Sequence, residues 1–164
     1  MLDMMRKYLL LLLLLVALPA LATAPDLNFR DFDGKERHAS EFIGNGKWTV
    51  VVIWENDCPI CNAEIHTMEF FHLDHMDKDA IVLGISIDGW KKRKLAEDFV
   101  QRHDLTFTNL LIELDITELL KFGGGMFVGT PTFYIYDPSG EIVARQIGPL
   151  PIDALENFIT SSTR

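Results

Sequence analysis

Trp54-Glu55-Asn56-Asp57-Cys58-Pro59-Ile60-Cys61 holds the only two cysteines in 164 residues, with two positions between them. An apolar run, Trp48 to Trp54 (WTVVVIW), leads into it, and a segment of helical pattern, Pro59 to about Asp77, follows. A strand feeding a helix whose first turn carries C-x-x-C is a dithiol redox arrangement. At the helix start Cys58 faces solvent, near unpaired backbone N–H groups and the positive end of the helix dipole, which favour a thiolate. Cys61 sits one turn in, close enough to close a small disulfide ring and to release a mixed-disulfide partner. Half a zinc site has the same spacing, but a structural zinc site needs four ligands and no second cysteine pair exists. The expectation is therefore no metal and no bound cofactor, the Cys58–Cys61 disulfide itself being the redox group.

Residues 1–22 read as an export signal. Arg6 and Lys7 form a short basic region beside Asp3, and Tyr8 to Leu18 (YLLLLLLLVAL) is an apolar run that Pro19 interrupts. The run is shorter than the ~18 residues of a spanning helix. Small-residue cleavage sites follow at Ala20-Leu21-Ala22 and Ala22-Thr23-Ala24. The second would leave Pro25 just after the cut, so cleavage after Ala22 is expected, an uncleaved N-terminal anchor being the competing reading. No cysteine lies near the site to carry a lipid. The remainder, residues 25–162, reads as one domain outside the cytoplasm, periplasmic or otherwise extracytoplasmic. There two vicinal cysteines form a disulfide unless something reduces them.

The full chain carries a formal charge of −9, and removing Asp3, Arg6 and Lys7 with the signal leaves −10. That acidity argues against nucleic acid and against docking on anionic lipid through a basic patch. Pro25 to Phe42 (PDLNFRDFDGKERHASEF) reads as a short hairpin with Leu27, Phe29 and Phe32 on its buried side and Asp33-Gly34 at its turn. Trp48–Trp54 is apolar almost without interruption, as a strand covered on both faces should be. The following helix carries Cys61, Ile65, Met68 and His72 as an inner stripe. Ala80–Ile87 is a second buried strand. Trp90–His103 is an amphipathic helix with Leu95, Phe99 and Val100 inside and a basic outer face. Thr106–Leu111 is a short strand, and Asp115–Phe122 a short helix stopped by Gly123-Gly124-Gly125. Thr132–Tyr136 and Glu141–Gln146 form an antiparallel hairpin around Asp137-Pro138-Ser139-Gly140, and Pro151–Thr160 closes with Ile152, Leu155 and Ile159 inward. This order predicts an α/β fold: a central mixed sheet flanked by helices, with an N-terminal hairpin and a strand–helix insertion.

The whole of residues 25–162 resembles the TlpA/ResA-like branch of the thioredoxin superfamily, exported thiol–disulfide oxidoreductases that include those of cytochrome c maturation. The resemblance rests on the opening PDLNFRDFDGKERHASEF, the W-x-x-x-C-x-x-C block, a Glu three residues after the second cysteine, and GTPTFYIYDPSGEIVARQIGPL. It implies a thioredoxin-like fold with Cys58 and Cys61 as the redox pair, protein thiols and disulfides as substrates, and a membrane-borne thiol donor. It also implies that Pro131 is a cis-proline opposite the redox pair, preceded by Thr130. A cis X-Pro bond there would turn the preceding backbone outward to pair with an extended substrate. Trp54 and Pro59 join Thr130 and Pro131 as expected substrate-contacting residues. Glu64 is the expected proton acceptor for Cys61, one helical turn away, because the strand position six residues before Cys58 holds Val52 rather than an acid.

The chain also departs from that pattern. Asp57 stands where the family usually has a second Trp, and Glu55-Asn56 is more polar than its usual pair. Asp57 places negative charge where the thiolate must form, and Pro59 removes a backbone donor. The direction of reaction expected from both is reduction of substrate disulfides, and the same features keep open a non-catalytic binding or assembly module with a structural disulfide. A peroxidatic cysteine is disfavoured, since Glu55 stands where a Thr would be needed. His66, His72 and His75 lie on or near one helix, and the expectation is that they are not metal ligands.

Overall fold

The computed structural model describes residues 24–162, so the signal reading for residues 1–22 lies outside the described residues. Seven strands form one mixed sheet: β1 Asn28–Arg30, β2 Glu36–His38, β3 Trp48–Trp54, β4 Ala80–Ser86, β5 Thr108–Leu111, β6 Thr132–Tyr136 and β7 Ile142–Ile147. Four helices flank it: α1 Pro59–His75, α2 Arg93–Arg102, α3 Ile116–Leu119 and α4 Ile152–Ser162. The strand order is β2-β1-β5-β4-β3-β6-β7. β3, β4 and β5 run parallel, and β6 and β1 are antiparallel to their neighbours. The thioredoxin-like architecture expected from the sequence is present, hairpin and insertion included.

β3 is buried at all seven positions, and its alternation divides the core into two layers. Val50, Val52 and Trp54 pack with Cys61, Ile65, Met68, Phe71, Phe99, Leu155 and Ile159 of α1, α2 and α4. Val51 and Ile53 pack on the other side with Leu27, Phe29, Leu83, Leu119, Phe122 and Tyr134. Each Val or Ile so enclosed contributes about 1.5–3 kcal/mol relative to exposure.

Most boundaries fall within one or two residues of the sequence reading, and three of the differences have a local reason. The 90–103 segment opens with a 3-10 turn, Trp90–Lys92, and becomes α-helical only at Arg93. On that helix the inner positions are Ala96 and Phe99, with Val100 half-buried, and Leu95, expected inside, lies at the edge of the face, 42% exposed. β5 starts at Thr108 rather than Thr106, because Glu69 takes both the N–H and the hydroxyl of Thr106. The 115–122 helix is a single α turn capped by Asp115 and continued as a 3-10 turn, Leu120–Phe122. Among the described residues no helix is long and apolar enough to cross a membrane.

α1 is tied to α4 through His75. Its Nδ1 lies 2.7 Å from Asp79 and its Nε2 2.9 Å from Glu156, and the ring stacks on Phe71. Burial pushes the imidazole pKa down, but hydrogen bonds to the two carboxylates outweigh it, and the net direction is up from 6.5. A raised folded-state pKa contributes stability that is fully present below the unfolded value and lost as pH rises through the folded one. Both carboxylates are more than a third exposed, so screening holds the contribution below about 1 kcal/mol. His75→Gln should therefore lower the melting temperature at pH 6, and the deficit should shrink by pH 9. A deficit equal at both pH values would show that His75 contributes packing alone.

Candidate active site

The C-terminal ends of β3 and β4 deliver the site. Past Trp54 the chain turns through Glu55–Asp57 and enters α1 at Cys58, which caps the helix in extended conformation (φ −78°, ψ 112°) with Pro59 following. Pro at the first helical position leaves no intrahelical bond unmade, and its fixed φ suits the helix start. Cys58 Sγ accepts the Cys61 N–H at 3.0 Å, so one helix-end donor does reach the sulfur despite Pro59. Cys58 and Cys61 form a disulfide with Cα atoms 5.2 Å apart. Cys58 is 7% exposed and Cys61 1%. The first cysteine is more enclosed than its helix-start position suggests, yet it remains the more accessible of the two.

The other expected site residues divide. Pro59 is exposed beside Cys58, and Glu64 is half-buried one turn along α1 from Cys61. The Thr130–Pro131 bond is cis, with Pro131 buried and Thr130 half-buried. β6 pairs with β3 with Thr132 opposite Ile53, which brings Pro131 level with Trp54 at the edge of the motif. Trp54 requires a correction: it has no exposed surface and so nothing to offer a substrate in this conformation. Its indole stacks on Phe99 at 4.2 Å and donates to Asn109 Oδ1 at 3.1 Å. Gly84 makes room for that acceptor, since a Cβ there would collide with Asn109 Oδ1. Trp54 is the floor beneath the motif.

Several residues that the sequence reading passed over hold the loop. Asp88, two residues past the end of β4, accepts the Asn56 N–H at 2.9 Å and the Ser86 hydroxyl at 2.8 Å. Asn62 donates its amide to the carbonyls of Asn56 and Cys58, both at 2.9 Å. Arg102 and His103, at the end of α2, each donate to Asn62 Oδ1 at 3.2 Å. Burial, then Arg102 and His66, push the His103 pKa down from 6.5. The parallel register that sets Ser86 beside Trp54 is the signal that would have found Asp88. An acid two residues beyond a buried strand end, next to the motif strand, faces the motif loop.

The three histidines on α1 separate. His72 is buried and its Nδ1 accepts the Val82 N–H at 3.2 Å, burial pushing its pKa down. His75 is held by Asp79 and Glu156, and His66 lies edge-on to Phe70. Among the described residues no group of three or more His, Cys, Asp or Glu is arranged to hold a metal ion.

Residues 21–145 match the AhpC/TSA family, a span containing the opening hairpin, the redox pair and the Thr130–Pro131 turn. The chain belongs to the AhpC/TSA family. Thiol-disulfide oxidoreductase ResA of Oceanobacillus iheyensis is 25% identical over 142 residues, covering 83% of this chain and 69% of the relative. Sporulation thiol-disulfide oxidoreductase A of Bacillus subtilis is 25% identical over 114 residues, covering 69% of this chain and 67% of the relative. A solved thiol:disulfide interchange protein of Chlorobium tepidum superposes with a TM-score of 0.69 at 19% identity, covering 86% of this chain and 95% of that one. The likeness to solved structures establishes the thioredoxin-like fold, and the relatives agree with the TlpA/ResA-like resemblance read from the sequence.

Proposed function

We propose that this chain is an exported thiol–disulfide oxidoreductase that reduces disulfides in exported proteins. The observation that carries the reading is the closed Cys58–Cys61 disulfide at the N-terminus of α1, the sulfur of the more exposed residue, Cys58, accepting a backbone N–H. Family membership and the names of the relatives support the reaction class. Reduction of apocytochrome c or a comparable extracytoplasmic substrate follows from the resemblance, as does recharging by a membrane-borne thiol donor.

The disulfide is the end state of one turnover. From the dithiol, the Cys58 thiolate attacks a substrate disulfide, forming a Cys58–substrate bond and expelling one substrate thiolate. Cys61, deprotonated, then attacks Cys58 Sγ, closing the intramolecular disulfide and expelling the second substrate thiolate. The pair gives up two electrons, the substrate gains them, and a donor dithiol must return them before the next cycle. Glu64, half-buried near Cys61, takes the Cys61 proton in the second step. Pro59, Thr130 and Pro131 meet the substrate, and exposed Ile60, Met126 and Val128 extend that surface with apolar side chains on the same two segments.

These roles predict separable defects. Cys61→Ser should accumulate a mixed disulfide with a model substrate such as insulin, while Cys58→Ser should accumulate none. The reverse pattern would exchange the two roles, and no turnover by wild type together with no trapping would leave the disulfide structural. Glu64→Gln should slow the resolving step about tenfold or more near neutral pH and leave the first attack close to wild type, as expected for loss of one positioned proton acceptor. Rapid-quench measurement of the mixed disulfide separates the steps, and equal slowing of both would remove Glu64 from the mechanism.

A further inference from the structure

We propose that Asp88 is a positioning residue of the dithiol site, holding the Asn56 peptide, and with it Asp57, in the arrangement that sets the reactivity of Cys58. This rests on Cys58–Cys61 being the redox pair. The Asn56 peptide is gripped from both sides: its N–H goes to Asp88 Oδ2 at 2.9 Å and its carbonyl accepts from Asn62 Nδ2 at 2.9 Å. The Asn56 side-chain amide in turn donates to Asp57 Oδ1 at 2.9 Å. A chain of hydrogen bonds therefore runs from buried β4 to the carboxylate that adjoins the attacking cysteine.

Asp88 is itself fixed. The Ser86 hydroxyl donates to it at 2.8 Å, and its own N–H lies 3.2 Å from that same oxygen. The Ile87 N–H beside it donates to the Trp54 carbonyl at 3.0 Å. Asp88 is 8% exposed, and its second oxygen, Oδ1, is buried with no hydrogen-bond partner among the described residues. A buried acceptor left bare costs stability, so the site keeps a polar group whose hydrogen bonds serve the motif loop and one neighbouring hydroxyl. Asp57, exposed and adjacent to Cys58, opposes formation of the thiolate by an amount that depends on where its carboxylate is held.

The test uses the full chain, reduced, with two readouts: the rate of Cys58 alkylation by iodoacetamide against pH, and the dithiol–disulfide equilibrium with glutathione. Asp88→Ala lets the loop go, so alkylation near pH 7 should rise at least about threefold, and the equilibrium should move about as far toward a more oxidising pair. Asp88→Asn keeps an acceptor oxygen for the Asn56 N–H and the Ser86 hydroxyl and should stay within about 1.5-fold of wild type. Asn62→Ala frees the other side of the same peptide and should move both readouts in the direction of Asp88→Ala. If Asp88→Ala does not fold, Asn62→Ala and Asp88→Asn decide the matter. Wild-type profiles in every variant that frees the loop would overturn the proposal, and so would an Asp88→Asn shift as large as that of Asp88→Ala, which would make charge rather than placement the cause. Neither readout requires substrate turnover, so a wild-type protein inactive on insulin would remove the reductase reading and leave this one testable.

Discussion

Enclosure of β3 on both faces is the constraint on which the rest depends. Val50, Val52 and Trp54 point into one layer, and Val51 and Ile53 into the other. No residue of the strand can slip by one position without driving its apolar set to the wrong face. Because the register with β4 and β6 is fixed in this way, the turn that follows Trp54 emerges at one place, between the ends of its two neighbours. Cys58 owes its position to a strand that carries no chemistry of its own.

At that exit the molecule surrounds the sulfurs with opposed influences. The Cys61 N–H reaches Cys58 Sγ, and the α1 N-terminus adds a favourable field of ~0.3–1 kcal/mol for an exposed site. Asp57 acts against both. Arg102 stands on Asn62 beside His103, bringing cationic character to one flank of an otherwise acidic chain, while His103, its pKa pushed down by burial, adds a neutral donor. None of these dominates, which fits a thiol of moderate reactivity rather than the strongly stabilised thiolate of a disulfide-introducing oxidase.

Much of this was legible in the sequence because it follows from periodicity and punctuation. The continuous apolar run of β3, the hairpin turn at Asp33-Gly34 and the C-x-x-C pair at a helix start each carry a local signal, whereas the cis bond before Pro131 is implied by the family resemblance alone. What escaped depends on contacts between distant segments. Leu95 and Ala96 both lie within one turn of Phe99 on α2, so spacing alone does not separate them, and the packing buries Ala96 and leaves Leu95 at the edge of the inner face. The expectation that Trp54 contacts substrate fails because Asn109 and Phe99, distant in sequence, hold its indole beneath the motif. Asp88 and Asn62 carry no local signal of a role, and only the pairing of β3 with β4 and the turn into α1 bring both onto Asn56.

The central claim is that the pair gives electrons to its substrate, and the equilibrium reduction potential tests it most directly. Titration of the full chain against defined glutathione ratios, with the dithiol fraction read by alkylation, should give a value below about −200 mV, on the side of the reducing members of this fold. A value near about −120 mV, that of a disulfide-introducing oxidase, would contradict the account.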